Sequence, residues 1–390
     1  MSSSLKTALY AVIIAFSSSY ITYKLISKNA EYKPSKDQAP KRKDNIAELI
    51  GNTPLVKIQS LSNETGCEIY AKLELANPGG SAKDRVALSV IRHFEETGEL
   101  VPGRNDVLFE GTSGSTGISF AMLCNALGYT AHICLPDDTS NEKLQLLESY
   151  GAEIEKVKPA SIVDPNQYVN AARKGALALQ NDKSTESNGV FADQFENDNN
   201  WRIHYATTGP EIWEQMNHDI DYFVTGSGTG GTIAGCSRYL KSVSDKIKVF
   251  LADPQGSGMF NRVKYGVMYD QVEKEGTRRR HQVDTLIEGI GLNRVTHNFF
   301  QGEHCIDDSI RVTDEEALKM ARYLSANDGL FVGSSSSINA VAAVRIAQNA
   351  KPGSKIVMIA CDSGSRHLSK FWKEALKVDK NIQLKDILEQ

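Results

Sequence analysis

From residue 46 onward the chain passes repeatedly from apolar, β-rich runs to helical patterns, and at four of these junctions nearly every residue is small. The junctions are "NPGGSAKDR" (77–85), "EGTSGSTGI" (110–118), "GSGTGGT" (226–232) and "GSSSS" (333–337). Strands alternating with helices imply parallel sheets covered on both faces. Ligands of such sheets sit at the carboxyl ends of the strands, where backbone N–H groups at a helix start can be aimed at an anion. Segments 68–75, 107–109, 131–135, 222–225, 249–252 and 356–360 read as strands, and 85–96, 140–150, 206–216 and 313–326 as amphipathic helices. Polar stretches 181–189 and 270–281 read as solvated loops. A chain of 390 residues has room for two lobes. An α/β enzyme is the expectation, although fold alone decides no chemistry.

Bulk properties exclude several classes. A net charge of −4 provides no basic excess for a nucleic-acid face, so no nucleic-acid partner is expected. The six cysteines are scattered without a C-x-x-C pair, which supports neither a zinc site nor a disulfide framework and fits buried thiols in a reducing compartment. No metal is expected.

Residues 1–43 differ from the rest. The stretch 7–23, "TALYAVIIAFSSSYITY", has no charge, and seven basic residues stand between Lys24 and Lys43 against two acidic ones. This reads as a short membrane anchor over about residues 7–26, followed by a basic tether, with the chain beyond it on the cytosolic side. A cleaved signal peptide is the alternative. Such a weak anchor is similar to the signal anchors of mitochondrial outer-membrane proteins. Residues 44–390 then form the catalytic domain.

One glycine-rich turn is weak evidence, but several in one domain suit a ligand with several anionic groups. The 226–232 turn lacks the G-x-G-x-x-G spacing of a dinucleotide fold and the Gly-Lys-Ser/Thr of a P-loop. Its N–H groups, with the Thr229 and Thr232 hydroxyls, suit a phosphate monoester at a helix start. Lys83 follows four small residues at a helix start, where a cation works against the helix dipole. A solvent-facing lysine paired with Asp84 or Glu74 is the plain reading. Beside a phosphate nest, a partly dehydrated lysine amine is also a nucleophile for an aldehyde. Phosphate and aldehyde together mean pyridoxal 5'-phosphate, PLP.

Eight motifs occur in order: "LIGNTPLVKI" (49–58), "NPGGSAKDR", "TSGSTG" (112–117), "DQFEN" (193–197), "TTGPEIW" (207–213), "GSGTGGT", "EGIG" (288–291) and "DSGSRHLS" (362–369). Together they resemble the cysteine synthase (O-acetylserine sulfhydrylase) and cystathionine β-synthase family of fold-type II PLP enzymes, with "EGTSGSTGIS" and "EGIGLNR" most similar to its fungal mitochondrial branch. The resemblance implies a tryptophan-synthase-β-like α/β fold with two parallel-sheet lobes and the cofactor between them. The smaller lobe would be about 84–192, and the larger 44–83 plus 193–390. It also implies a homodimer.

The same resemblance assigns roles. Lys83 matches the Schiff-base lysine that also moves protons at the substrate Cα. Gly228, Thr229, Gly230, Gly231 and Thr232 match the phosphate cradle. Thr112, Ser113, Gly114 and Thr116 match the loop for the substrate α-carboxylate, with Gln194 as its side-chain partner. Ser335 matches the serine at the pyridine nitrogen, with Ser334 and Ser336 as neighbouring registers. The implied reaction is β-replacement, O-acetylserine and sulfide giving cysteine and acetate, with the smaller lobe closing over the carboxylate. Three positions depart from the family pattern: Ser115, usually an asparagine bonded to the cofactor's 3'-oxygen, Ser337, usually glycine, and Cys361, usually proline. Cystathionine β-synthase, a cysteine or serine β-lyase and a membrane-tethered PLP-binding pseudoenzyme are the rival readings. No Cys-Pro-Cys haem motif occurs and few residues follow the last motif, which favours cysteine synthase.

Overall fold

The computed structural model describes residues 42–160, 162–269 and 285–388. The expected loop at 270–281 and the anchor at about 7–26 lie outside these residues. Among the described residues, no helix is long and apolar enough to cross a membrane.

Ten strands are formed by the described residues: β1 (Leu55–Lys57), β2 (Glu68–Leu73), β3 (Val107–Gly111), β4 (Thr130–Pro136), β5 (Glu153–Val157), β6 (Gly189–Phe191), β7 (Tyr222–Gly226), β8 (Lys248–Pro254), β9 (Asp308–Val312) and β10 (Lys355–Ala360). They build one sheet in the order β1-β2-β10-β7-β8-β9 and a second in the order β5-β4-β3-β6. All neighbours run parallel except β1 and β2, which are antiparallel. The central strands are buried on both faces, as parallel sheets require, so they read in sequence as near-continuous apolar runs. β5, β6 and β9 escape a reading by apolar runs because they are short or charged and lie at sheet edges.

Eight helices are used below: α1 (Lys83–Glu96), α2 (Ser115–Leu127), α3 (Asn141–Ser149), α4 (Tyr168–Gln180), α5 (Gly209–Gln215), α6 (Gly231–Val243), α7 (Asp314–Asn327) and α8 (Ser334–Asn349). α1 buries Val86, Ala87, Val90, Ile91 and Phe94 along one stripe. α2 and α8 have almost no exposed face, because each is covered on all sides by its own lobe. The expected helix over 206–216 is formed as α5, which is entered through a π turn at His204–Thr208. Pro210 supplies no N–H for the α ladder, and the wider turn absorbs that gap.

A buried ion network ties the start of α1 to the larger sheet. Arg85 donates from Nε to Glu74 Oε2 at 2.8 Å and from Nη2 to Glu74 Oε1 at 2.9 Å. The same guanidinium donates to both Glu211 oxygens, at 2.6 and 2.7 Å. Lys72 donates to Glu211 Oε2 and to Thr53 O, each at 2.7 Å. Paired burial of this kind is tolerated only when every charge has partners, and removing one member typically costs about 3–5 kcal/mol. Arg85→Met should therefore lower the denaturant-unfolding free energy by about 3–5 kcal/mol. An Arg85→Met protein unfolding at the wild-type midpoint would show the network to be energetically neutral.

Candidate active site

A cavity of about 530 Å³ opens at the carboxyl ends of β3, β7 and β10, where the small-residue junctions emerge. That volume is in the ordinary range for a small-molecule site. Lys83 stands on its wall. The residues before it are held by the β10 exit: Ala82 N donates to Cys361 O at 3.2 Å, and Ser81 bridges Asp362.

The Lys83 ammonium makes no hydrogen bond or ion pair among the described residues. Both carboxylates of the plain reading are already taken. Glu74 accepts from Arg85, and Asp84 accepts from Ser119 Oγ and Gly79 N, each at 2.6 Å. Burial pulls the Lys83 amine below its ordinary value, against the opposing pull of Cys361, Asp362 and Glu74. Burial that disfavours the charged form makes an unpaired amine in a cavity easier to deprotonate, which is what a nucleophilic lysine needs.

The second junction is also brought to the cavity. Thr112, Ser113, Gly114, Ser115 and Thr116 all line it, as does Gln194. Thr116 Oγ1 donates to Gln194 Oε1 at 2.5 Å. Gln194 N donates to Glu110 Oε2 at 3.4 Å, and burial followed by the charge of Asp193 drives the Glu110 carboxyl well above its usual range. Ser115, the first residue of α2, has its hydroxyl committed elsewhere. It accepts from Arg366 Nη1 at 2.8 Å and lies 3.5 Å from Asp362 Oδ2.

At the third junction, Gly228, Thr229, Gly230 and Thr232 line the cavity. The N–H groups of Gly228, Thr229 and Gly230 donate to no group among the described residues. Neither Gly228 nor Gly230 has room for a side chain. A Cβ on Gly228 would stand 2.1 Å from Gly289 O, and one on Gly230, at φ +87°, would meet Phe299 at 2.5 Å. Gly231 is the member not brought to the wall; it starts α6 and packs against Asn200. Asn200 Nδ2 donates to Thr229 Oγ1 at 2.8 Å. His204, held far below its usual value by burial and then by Arg85 and Lys83, is a neutral ring 3.1 Å from Thr232 Oγ1. Three orphan N–H donors at the positive end of α6 form a phosphate-sized nest.

Only one serine of the fourth junction reaches the cavity. Ser334 Oγ accepts from Glu288 N, Ser336 Oγ accepts from Cys361 N, and Ser337 Oγ donates to Gly333 O. Ser335 lines the cavity, its hydroxyl against the Cys361 thiol. Burial pushes that thiol up to about 11, so Cys361 is a neutral wall residue and not a reactive cysteine.

An unpaired amine, an orphan N–H nest and an isolated neutral hydroxyl around one cavity fit the aldehyde, phosphate and ring nitrogen of PLP. Residues 46–362 match the protein family described as "Pyridoxal-phosphate dependent enzyme". The chain belongs to this family. It is 62% identical over 97% of its length to the "Putative mitochondrial cysteine synthase" of Saccharomyces cerevisiae, covering 94% of that protein. It is 56% identical over 87% of its length to "Cysteine synthase 2" of Schizosaccharomyces pombe, covering 86% of it. Among solved structures, O-ureido-L-serine synthase is similar, at a TM-score of 0.73 and 30% identity over 89% of this chain and 99% of that one. PLP is the cofactor of this enzyme family.

A charged cluster at the cavity mouth is not apparent from any single motif. Lys143 of α3 donates to Glu288 Oε2 at 2.9 Å, and His367 Nδ1 lies 3.2 Å from the same oxygen. His367 Nε2 lies 3.0 Å from Asp362 Oδ2, and Ser369 N donates to Glu142 Oε1 at 2.9 Å. "EGIG" and "DSGSRHLS" flag two of these segments, but Lys143 carries no local signal. Burial opposes the charge of His367, yet Asp362 and Glu288 outweigh it and push the imidazole up to about 9. Burial likewise opposes the Glu288 charge, and His367 and Lys143 hold that carboxyl down to about 2. A raised histidine contributes stability fully below its unfolded value of 6.5 and loses it as pH rises through about 9. Unfolding free energy should therefore fall between those two pH values, and His367→Gln should flatten that fall. An equally steep fall in His367→Gln would remove the assignment.

Proposed function

We propose that this chain is a PLP-dependent cysteine synthase, replacing the acetoxy group of O-acetyl-L-serine with sulfide to give L-cysteine and acetate. The observation that carries the reading is the unpaired Lys83 amine in one cavity with two separate anion-ready turns. The 54–62% identity to fungal proteins named cysteine synthase supports it.

Gly228, Thr229, Gly230 and Thr232 would hold the cofactor phosphate through the turn and the α6 dipole, with Gly231 starting the helix behind them. Ser335 would offer the ring nitrogen a neutral hydroxyl, which does not hold a charged pyridinium as a carboxylate would. Thr112, Ser113, Gly114 and Thr116 take the substrate carboxylate, with Gln194 beside them and Ser115 at the helix start. Bound PLP supplies an aldehyde for Lys83 and a ring that draws electron density from the substrate Cα. Lys83 would then remove the Cα proton; the Cβ–O bond breaks as acetate leaves, a Cβ–S bond forms as hydrosulfide adds, and Lys83 returns the proton to Cα. The smaller lobe, about residues 84–192, closes over the carboxylate and excludes water.

Purified protein should be yellow, and borohydride should fix the cofactor to Lys83. Lys83→Ala should lose both the colour and turnover, by about 10³-fold or more. A colourless wild-type protein would sink the enzyme reading in favour of a binding module. Serine plus homocysteine consumed faster than O-acetylserine plus sulfide would replace it with a cystathionine synthase.

The enzyme works as a homodimer at mitochondria, held at the outer membrane by residues about 7–26 with the catalytic domain facing the cytosol. The uncharged 7–23 stretch and the basic residues after it support the anchor, and the name of the budding-yeast relative supports the mitochondrion. After carbonate extraction of mitochondria, full-length tagged protein should stay in the membrane pellet. A shortened soluble form would overturn the anchor.

A further inference from the structure

β5 is an edge strand of the smaller sheet, and its parallel register sets His132 opposite Glu153 and Cys134 opposite Glu155. Side chains two apart on a strand share a face, so all four stand on one side of the sheet. His132 Nε2 is 3.2 Å from Glu155 Oε2, and the Cys134 thiol is 3.4 Å from the same oxygen. The three ligand atoms lie within 4.8 Å of one another. Zinc bonds of about 2.0–2.3 Å in a tetrahedron put neighbouring ligand atoms about 3.3–3.7 Å apart. Two of the three edges of this triangle are already close to that spacing.

We propose that His132, Cys134 and Glu155 form a divalent-metal site of the zinc type, with water completing the tetrahedron. Glu153 Oε2, 3.0 Å from His132 Nδ1, is the orienting carboxylate of a metal-bound histidine; it fixes the tautomer that leaves Nε2 as the ligand. The Phe109 ring, 4.7 Å from the imidazole between centroids, restrains the ring plane. Thiolate, imidazole and carboxylate together select zinc over magnesium or calcium, which take oxygen ligands. Cys134 is buried beside Phe109, Ala172 and Ala176, while the Glu155 side chain is 47% exposed, so the ion enters from the Glu155 side onto an apolar floor. On binding, the Cys134 S–H bond breaks, the sulfur gives its electron pair to the metal, and the proton passes to solvent. The ion joins an edge strand to its only sheet neighbour, away from the PLP cavity wall. Scattered cysteines carry no zinc spacing in sequence; only the β4–β5 register brings this set together.

The test uses full-length holoenzyme stripped with chelator, equilibrated with zinc sulfate, gel-filtered and counted by plasma mass spectrometry. About one zinc ion per chain should be retained, with a proton released on uptake. Cys134→Ser and Glu155→Gln should lose it, and Glu153→Gln should weaken affinity about 10–100-fold. Glu155 is half-exposed, so Glu155→Gln gives the result even if the buried Cys134→Ser misfolds. No retained zinc in the wild type, or equal retention by Glu155→Gln, would overturn the site.

Discussion

The forked grip of Arg85 on Glu74 and Glu211 underlies the geometry of the catalytic lysine. Two carboxylates and one guanidinium, all removed from bulk water, are stable only as a set. The bidentate geometry allows little slack, so the first turn of α1 has one position relative to β2 and α5. Lys83 lies two residues earlier on the same turn. Because Arg85 occupies Glu74, and Gly79 and Ser119 occupy Asp84, neither carboxylate pairs with the lysine. A structural ion network thereby produces a reactive amine: it consumes the counterions.

Several groups around that amine are neutral. The Cys361 thiol is raised by burial, His204 is held neutral, and Ser335 offers a hydroxyl. The strong charges are gathered in the Lys143, Glu288, His367 and Asp362 cluster, where they neutralise one another, although Asp362 also acts on the amine. That division suits chemistry in which the protein orients and the cofactor carries the electrons.

Much of this was readable in the residues because the central strands are apolar and the turns between them are nearly all small. The reading stopped where partners are far apart in the chain. Ser115 was marked as a departure from a cofactor contact, but its actual neighbours, Arg366 and Asp362, stand about 250 positions away. The motif points to Ser335 with Ser334 and Ser336 as neighbouring registers; the hydrogen bonds of the outer two leave Ser335 as the cavity residue. β1, β5, β6 and β9 escape the apolar-run reading because edge strands can be very short or charged. The turn at 204–208 depended on how a proline is absorbed, which pattern alone does not state.

The strands hardest to see have a further role. An open parallel sheet ends in unpaired N–H and C=O groups, a template on which another chain can assemble. Here β1 and β6 are only three residues long, β9 carries Asp308 and Arg311, and β5 alternates glutamates with a lysine. Short or charged borders offer little to a second copy of the chain. The glutamates that keep β5 from reading as an apolar run thus also make this edge a poor template for another strand.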